Sequence, residues 1–212
     1  MYLNPPEFDA FLNKVGQTCA WRRAYACPCI NPNSGAADPK CPRCAGKGFA
    51  WATAVQGTAG ISGQQVQKRW ADFGKWEAGD VVVSIGSDSP LYAISFADRV
   101  LFLNDTQGFS VVLTRGQGDT LGFPTVAIDR VYWLDGQKRE VAGSIPTFDA
   151  DGALSWGDSD VAPPDGVLYS VSGRRRTEYF CWGDYPQDRG HFHGRALPKK
   201  VVLRRFDLYG RT

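Results

Sequence analysis

The sequence predicts a mainly β protein: an antiparallel barrel or sandwich body, preceded by a short N-terminal helix and a small cysteine-rich segment. Three observations support this class. The 212 residues include 24 Gly and 13 Pro, which interrupt the chain too often for long helices. β-branched and aromatic runs alternate with turn residues along most of the chain. Five of the six cysteines lie between positions 19 and 44.

Residues 1–16 are predicted to form an amphipathic helix. Asn4 is placed as the N-cap, with Pro5 at the first helical position and Glu7 completing a capping box, and Gly16 suits the end. Apolar residues then recur at helical spacing, at Phe8, Phe11, Leu12 and Val15. We expect this face to pack against the core of the chain, and docking to a partner is the alternative.

Residues 49–212 are predicted to form the β-rich body. Eleven runs have strand composition: 80–85, 91–96, 99–103, 109–113, 131–134, 138–141, 146–148, 153–156, 167–171, 177–182 and 201–206. Asp135-Gly136 and Asp151-Gly152 separate pairs of runs and favour tight hairpins, because these dipeptides accept the positive φ angles of primed turns. Strands at this spacing form antiparallel barrels or sandwiches. The sequence of residues 64–76 is compatible with either a helix or irregular structure.

Residues 17–48 form a segment that cannot hold its shape through an apolar core. It is rich in Pro, Gly and Asn, and ordering each residue costs about 1–2 kcal/mol. The chain has no apolar run near the ~18 residues of a membrane helix and starts without an export signal, so we expect no membrane partner and reduced thiols in a cytosol. Bound metal is the crosslink that this environment favours.

The predicted metal ligands are Cys27, Cys29, Cys41 and Cys44. Cys41 and Cys44 are spaced Cys-x-x-Cys before a Gly-rich turn, the pattern of a metal knuckle whose backbone amides point at the thiolates. The eleven residues between Cys29 and Cys41 can bring the first pair back to complete a four-sulfur shell. Zn²⁺ is the expected ion, and an iron–sulfur cluster is the alternative. Because Cys-x-Cys is an unusual chelate, Cys19 is kept as a replacement for Cys27 or Cys29.

Charge is unevenly distributed along a chain whose net charge is only +2. Residues 173–212 carry ten Lys or Arg against four acids, whereas residues 1–172 carry 14 against 18. This basic C-terminal segment suits docking between identical subunits, non-specific contact with DNA, or a solvated surface.

Enzymatic motifs are incomplete in this sequence, so we expect a non-enzymatic protein with no catalytic residues. Cys181 lies in a predicted strand, where a buried and inert thiol is the common outcome. His191 and His193 would project from the same side of an extended strand, but no third metal ligand accompanies them. Asp149 and Asp151 imitate part of a calcium loop and are better explained by a hairpin.

The segment 26–48, a β-rich body containing Gly79-Asp80 and Ala97-Asp98-Arg99, and the terminal stretch 197–206 together resemble small virion proteins of tailed bacteriophages and prophages. The resemblance implies a structural subunit of a homo-oligomeric ring at the head–tail neck, of connector or stopper type. A tail-end or baseplate component is the alternative. The resemblance further implies that other copies of the chain and neighbouring virion proteins are its partners. It also implies that the protein is located in a virion assembled in the host cytoplasm.

A zinc-knuckle nucleic-acid-binding module is the alternative from another class of function. In this interpretation the knuckle and a basic β surface contact the phosphates, and Tyr179, Trp182 and Tyr185 supply stacking platforms for bases. The modest net charge argues against it.

Overall fold

The computed structural model describes residues 4–62, 79–183 and 190–209. The chain divides into two compact units, Met1–Asn104 with Glu178–Thr212, and Asp105–Thr177. The second unit is therefore an insertion in the first, and the predicted 49–212 body contributes to both. The uncertain stretch 64–76 and Tyr185 lie outside the described residues.

The first unit begins with helix α1, Pro5–Val15. Asn4 is its N-cap but makes no side-chain hydrogen bond, so the predicted capping box does not form. Gly16 ends the helix, and its amide donates to the carbonyl of Leu12. The existence and the limits of the helix agree with the sequence prediction.

The face that α1 turns to the barrel differs from the predicted one. The buried positions are Pro5, Asp9 and Leu12, whereas Phe8, Phe11 and Val15 are about half exposed. Leu12 lies against Gly60, where an added Cβ would come within 2.8 Å of its Cδ2 atom, and the Asp9 carboxylate accepts hydrogen bonds from the amide and hydroxyl of Ser87. The spacing of the apolar residues predicted the existence of the helix, but the face that packs on the barrel is the one that carries Asp9 and Leu12.

Six antiparallel strands of the first unit close into a barrel. In order around the barrel they are β1 (Gln17–Arg22), β4 (Val55–Ile61), β5 (Val81–Ile85), β16 (Lys199–Arg205), β13 (Glu178–Gly183) and β6 (Arg99–Phe102). Alternate residues point inward, as the period of two in a strand requires. The interior is filled by Cys19, Val83, Ile85, Val100, Cys181, Val201 and Leu203, each at most 1% exposed.

Two short ribbons complete the strands of this unit. β2 (Ala24–Ala26) pairs with β3 (Phe49–Trp51), and β14 (His191–Phe192) pairs with β15 (Arg195–Ala196). The predicted strand 91–96 is wrong, because Pro90–Ala93 forms a 3₁₀-helix instead. Ser89 caps it by accepting from the amide of Leu91, and the Pro at its first position favours a helical turn.

The second unit is built on a four-stranded antiparallel sheet in the order β7-β12-β8-β9. Its strands are β7 (Gln107–Thr114), β8 (Thr125–Leu134), β9 (Glu140–Ala142) and β12 (Leu168–Arg175). A small ribbon of β10 (Thr147–Phe148) and β11 (Leu154–Ser155) accompanies it. One sheet face buries a core of its own: Leu121, Ile128, Val131, Trp133, Leu154, Tyr169 and Val171.

Both predicted hairpins of the second unit form, but with five-residue loops rather than two-residue turns. In each loop the first residue is an aspartate, Asp135 or Asp149, whose Oδ1 accepts from the amides two and four residues later. The fourth loop residue takes the positive φ, 61° at Lys138 and 82° at Gly152. The carboxylate therefore organises each loop.

Candidate metal site

The ribbon of β2 and β3 carries the cysteine-rich loop at its end. Residues 24–51, here called the cysteine lobe, form this ribbon and loop. Ala26 pairs with Phe49, and the next backbone bond runs from the amide of Cys27 to the carbonyl of Gly48 over 2.8 Å. The ribbon thereby brings the two ends of the loop together, so Cys27 lies beside the turn that follows Cys44.

The segment 41–48 folds as a knuckle. The amide of Ala45 donates to the carbonyl of Cys41 over 2.8 Å, and the amide of Lys47 to that of Cys44 over 2.9 Å. Ala45 and Gly46 have φ of 48° and 78°, a left-handed bend that the glycine accommodates without strain. The backbone amides of Arg43 and Cys44, just before this bend, bond to the sulfur of Cys41.

The four predicted ligands converge. The Sγ atoms of Cys27, Cys29, Cys41 and Cys44 all lie within 4.8 Å of one another, and none is in a disulfide. Cys27 Sγ is 3.7 Å from Cys41 Sγ, and Cys29 Sγ is 3.4 Å from Cys44 Sγ. Three of the side chains are buried and Cys29 is half-buried. The cluster can hold a metal ion.

Backbone amides prepare one of these thiols for deprotonation. Hydrogen bonds from the amides of Cys44 and Arg43 lower the pKa of Cys41 to about 7. Desolvation raises the pKa of Cys29 to about 12, with further contributions from hydrogen bonds to the neighbouring thiols. The Cys29 thiol therefore stays protonated at neutral pH unless a cation is bound, and a metal ion would compensate the negative charge of its thiolate.

The cysteine lobe is attached to the barrel through Asp98, a residue for which the sequence patterns predicted no structural role. Asp98 is 2% exposed and accepts from the indole nitrogen of Trp21 and from the amides of Ala24 and Ser95. Trp51, which pairs with Ala24 at the same end of the ribbon, donates its indole N–H to the carbonyl of Ala97 over 3.0 Å. An Asp before a strand is too common in turns to have revealed this role.

The remaining sulfur and imidazole candidates lie elsewhere. Cys19 is fully buried in the barrel and its Sγ contacts the carbonyl of Gln17, so it does not replace Cys27 or Cys29. Cys181 is also fully buried in the barrel, on β13. The prediction that His191 and His193 share one side of an extended strand is wrong, because His193 has φ of 47° and begins the turn between β14 and β15.

The basic C-terminal segment does not form one exposed surface. Lys199 is 2% exposed and donates to the carbonyl of Ile94, and Arg204 is 3% exposed and pairs with Asp80. Of the proposed stacking platforms, Tyr179 is buried, and Trp182 is half-buried beneath the Arg204 guanidinium. Of the eight described cations of this segment, Lys199 and Arg204 are thus buried in structural contacts, whereas Arg174, Arg195 and Lys200 are exposed.

No protein-family model matches the chain, and no curated protein matches it. In residues 4–62, 79–183 and 190–209, no helix is long and apolar enough to cross a membrane. The class that the fold and the site define is a mainly β protein with a four-cysteine candidate metal site. The site itself is therefore the basis for assigning a function.

Proposed function

We propose that Cys27, Cys29, Cys41 and Cys44 bind one structural Zn²⁺, and that the chain is a non-enzymatic structural subunit of a tailed-phage virion. Its most favoured place is a ring at the head–tail neck, with the tail end as the alternative. The convergence of the four sulfur atoms is the observation that carries the proposal.

The sulfur positions suit a tetrahedral ion. Four ligands about 2.3 Å from a central Zn²⁺ lie roughly 3.8 Å apart from one another. Two of the sulfur–sulfur distances, 3.7 Å and 3.4 Å, are near this edge length, and the limit of 4.8 Å over the whole cluster requires only small side-chain movements. Zn²⁺ accepts four thiolates and has no redox chemistry, which favours it over iron for a crosslink.

A structural role follows from the number of ligands. Four protein sulfurs leave no coordination position for water or substrate, so such an ion would crosslink the loop rather than catalyse. Most of the loop between Cys29 and Cys41 is exposed, and apart from the sulfurs and the ribbon it is held by local turns, such as the one in which Asn31 Oδ1 accepts from the amides of Asn33 and Ser34. Metal binding would therefore contribute directly to the folding free energy of the cysteine lobe.

Metal analysis of the purified protein tests the zinc site. We expect one Zn²⁺ per chain by elemental mass spectrometry and loss of the ion in Cys44→Ser. Cys19→Ser is the matched control, because Cys19 is buried in the barrel and should leave the metal content unchanged. A chain without metal, or Cys44→Ser retaining a full equivalent, contradicts the site; iron with visible absorption supports the cluster instead.

Exposed apolar surface supports a subunit of a larger assembly. Phe8, Phe11 and Val15 lie 47%, 56% and 55% exposed on one face of α1, and the rings of Phe8 and Phe11 are 6.2 Å apart. Apolar patches of this kind are typical of surfaces that another protein covers. The full burial of Cys181 supports the absence of a thiol nucleophile.

Ring formation tests the virion role. We expect closed rings in negative-stain micrographs of concentrated protein and the presence of the chain in tailed particles purified from a host that carries the gene. Phe11→Lys should prevent ring closure, whereas Ala10→Lys, an exposed position on the same helix outside the apolar face, should not. Absence from gradient-purified particles, or no assembly beyond a dimer, would contradict this role.

A second candidate function is non-specific binding of nucleic acid by the cysteine lobe. Five basic side chains are exposed in the lobe or just before it, and none of them forms an ion pair with an acid among the described residues: Arg22, Arg23, Lys40, Arg43 and Lys47. Asp38 is the lobe's sole acid. Tyr25 is 54% exposed, with the Arg23 guanidinium over its ring. Cations and an exposed ring are the groups that contact phosphates and bases.

Fluorescence anisotropy with labelled DNA at several salt concentrations tests this candidate. We expect Arg43→Gln with Lys47→Gln to weaken binding and lower its salt dependence, because fewer counterions are released. Arg205→Gln is the control, since Arg205 pairs with Asp207 in the barrel unit. No binding at low salt, or equal loss in both proteins, removes this candidate.

A further inference from the structure

Strand β7 forms an open edge of the sheet in the second unit. Its only strand partner in the described part of the chain is β12. Arg115 is one residue beyond β7, and both of its backbone groups face β12: its amide donates to the carbonyl of Val167, and its carbonyl accepts from the amide of Gly166. Backbone direction alternates along a strand, so the amide and carbonyl groups of Ser110 and Val112 point away from β12.

This edge lacks the features that normally prevent strands from pairing. β7 is eight residues long and contains neither a charged residue nor a proline. The opposite edge differs: β9 has three residues including Glu140, and beyond it the amide of Ser144 donates to the carbonyl of Val161. Long, uncharged and uncovered edges are the ones that pair with another chain.

The core of the second unit is also open along β7. Tyr169 and Val171 on the neighbouring strand β12 are at most 1% exposed. On β7, Leu113 lies opposite Tyr169 and Val111 lies opposite Val171, and Phe109 follows on the same face. These three side chains of β7 are only partly buried. A further strand beside β7 would cover these three side chains and continue the core.

We propose that β7 pairs antiparallel with β7 of a second copy of this chain, joining the two sheets across a two-fold axis at Val111. In this register Ser110 lies opposite Val112 of the partner subunit, and this pair exchanges two backbone hydrogen bonds. Phe109 lies opposite Leu113 of the partner subunit on the core face. The outward-pointing groups and the half-buried side chains are thus satisfied by the same contact.

A second copy is the occupant that the composition of the strand favours. Two-fold pairing sets each residue of the strand against another of the same strand, and β7 contains no charge that could meet its like. The half-buried apolar residues lie at the centre of the strand, where they meet one another across the axis. A two-fold contact closes after two copies and is distinct from the ring contact of the proposed function.

Sedimentation velocity of the full chain, from about 1 μM to about 1 mM, measures the association. We expect a monomer–dimer equilibrium, with the amides of Ser110 and Val112 becoming protected from hydrogen exchange as the dimer forms. Val112→Pro removes an outward amide without breaking a bond to β12, so it should weaken the dimer by about tenfold or more. Circular dichroism of this variant establishes that the sheet is retained.

Leu134→Lys is the matched control for Val112→Lys. Both side chains lie on the outer face of the same sheet, 54% and 65% exposed, but Leu134 belongs to β8 and is remote from the β7 edge. We expect Val112→Lys to weaken the dimer and Leu134→Lys to leave it unchanged. A monomer throughout, a dimer unaffected by Val112→Pro, or equal loss in both lysine variants overturns the proposal. If Phe11→Lys abolishes the rings but leaves the dimer intact, the β7 contact is separate from the ring contact.

Discussion

The Asp98 carboxylate accepts the indole N–H of Trp21 over 2.9 Å, in a position where Asp98 is 2% exposed. Its other oxygen accepts from the amide of Ala24 over 2.7 Å. Trp21 belongs to the barrel strand β1, and Ala24 begins the ribbon of the cysteine lobe. One buried carboxylate therefore attaches the lobe to the barrel.

Replacing this carboxylate should destabilise the protein strongly. Asp98→Ala leaves the donors of Trp21, Ala24 and Ser95 without an acceptor, and each unsatisfied buried donor costs about 1–3 kcal/mol. We expect the free energy of unfolding in urea to fall by about 3 kcal/mol or more. Asp105→Ala, at an exposed turn, is the control and should change it little. A loss below about 1 kcal/mol would show that water replaces the carboxylate.

A buried ion pair and an exposed one lie next to each other at the end of β16. The Arg204 and Asp80 side chains are 3% and 0% exposed, whereas those of Arg205 and Asp207 are 35% and 43% exposed. We expect Asp80→Ala to cost about 3–5 kcal/mol, because the Arg204 charge loses its buried counterion. Asp207→Ala should cost at most about 1 kcal/mol.

Adding Arg204→Met to Asp80→Ala tests the cause of that loss. The second substitution removes the buried charge, so we expect the double variant to be more stable than Asp80→Ala alone. Chemical denaturation of the natural chain, Asp80→Ala, Arg204→Met and the double variant provides the comparison. If the losses of the two single variants simply add, the buried charge is not responsible.

Gly173 permits the close approach of two strands in the second unit. A Cβ atom there would lie 2.1 Å from the carbonyl oxygen of Ala127, at the point where the register between β12 and β8 shifts. Gly173→Ala should therefore lower the free energy of unfolding by about 2 kcal/mol or more. Gly136→Ala, where a Cβ meets nothing within 4 Å, should be neutral or slightly stabilising. Equal thermal midpoints for the two variants would contradict this explanation.

Burial of the Cys19 thiol predicts a dependence of stability on alkaline pH. Burial raises its pKa from the ordinary value of 9.0 to about 12. The unfolded thiol therefore loses its proton first, so its contribution to stability is complete below pH 9 and declines as the pH rises towards 12. The decline is roughly 1.4 kcal/mol per pH unit within that window.

Cys19→Ala removes this titration and provides the comparison. We expect the difference in unfolding free energy between the natural chain and Cys19→Ala to become smaller as the pH rises above 9, measured by denaturation at each pH. A difference that stays constant would mean that the thiol does not remain protonated in the folded barrel.

Local chemistry predicted the elements whose determinants are close in sequence. The limits of α1 follow from Pro5 and Gly16, and both hairpins follow from aspartate-led loops between β-branched runs. The cysteine cluster was predictable because Cys41 and Cys44 share one knuckle, whose glycines mark the bend. In each case the signal and the structure lie within 18 residues, as for Cys27 to Cys44, which is the scale of a short helix, a hairpin or a single loop.

Contacts between distant residues explain the differences. Leu91 lies in a β-like run but is held in a 3₁₀-helix by Ser89, whose hydroxyl also donates to the carbonyl of Thr58. The burial of Lys199 depends on the carbonyl of Ile94, 105 residues away. The composition of the C-terminal segment shows that it is basic, but only the tertiary contacts of its Lys and Arg side chains determine which of them are exposed to solvent.

The sequence by itself determined that this is a β-rich chain with one short helix and four cysteines suited to a shared ion, because turn chemistry and strand alternation act locally. The tertiary structure alone decided that six strands close into a barrel, that residues 105–177 form a separate sheet, and that Asp98 holds the cysteine lobe. These features depend on pairings between residues tens of positions apart, such as Tyr169 with Trp133, 36 positions apart, and Trp21 with Asp98, 77 positions apart, which no local pattern encodes.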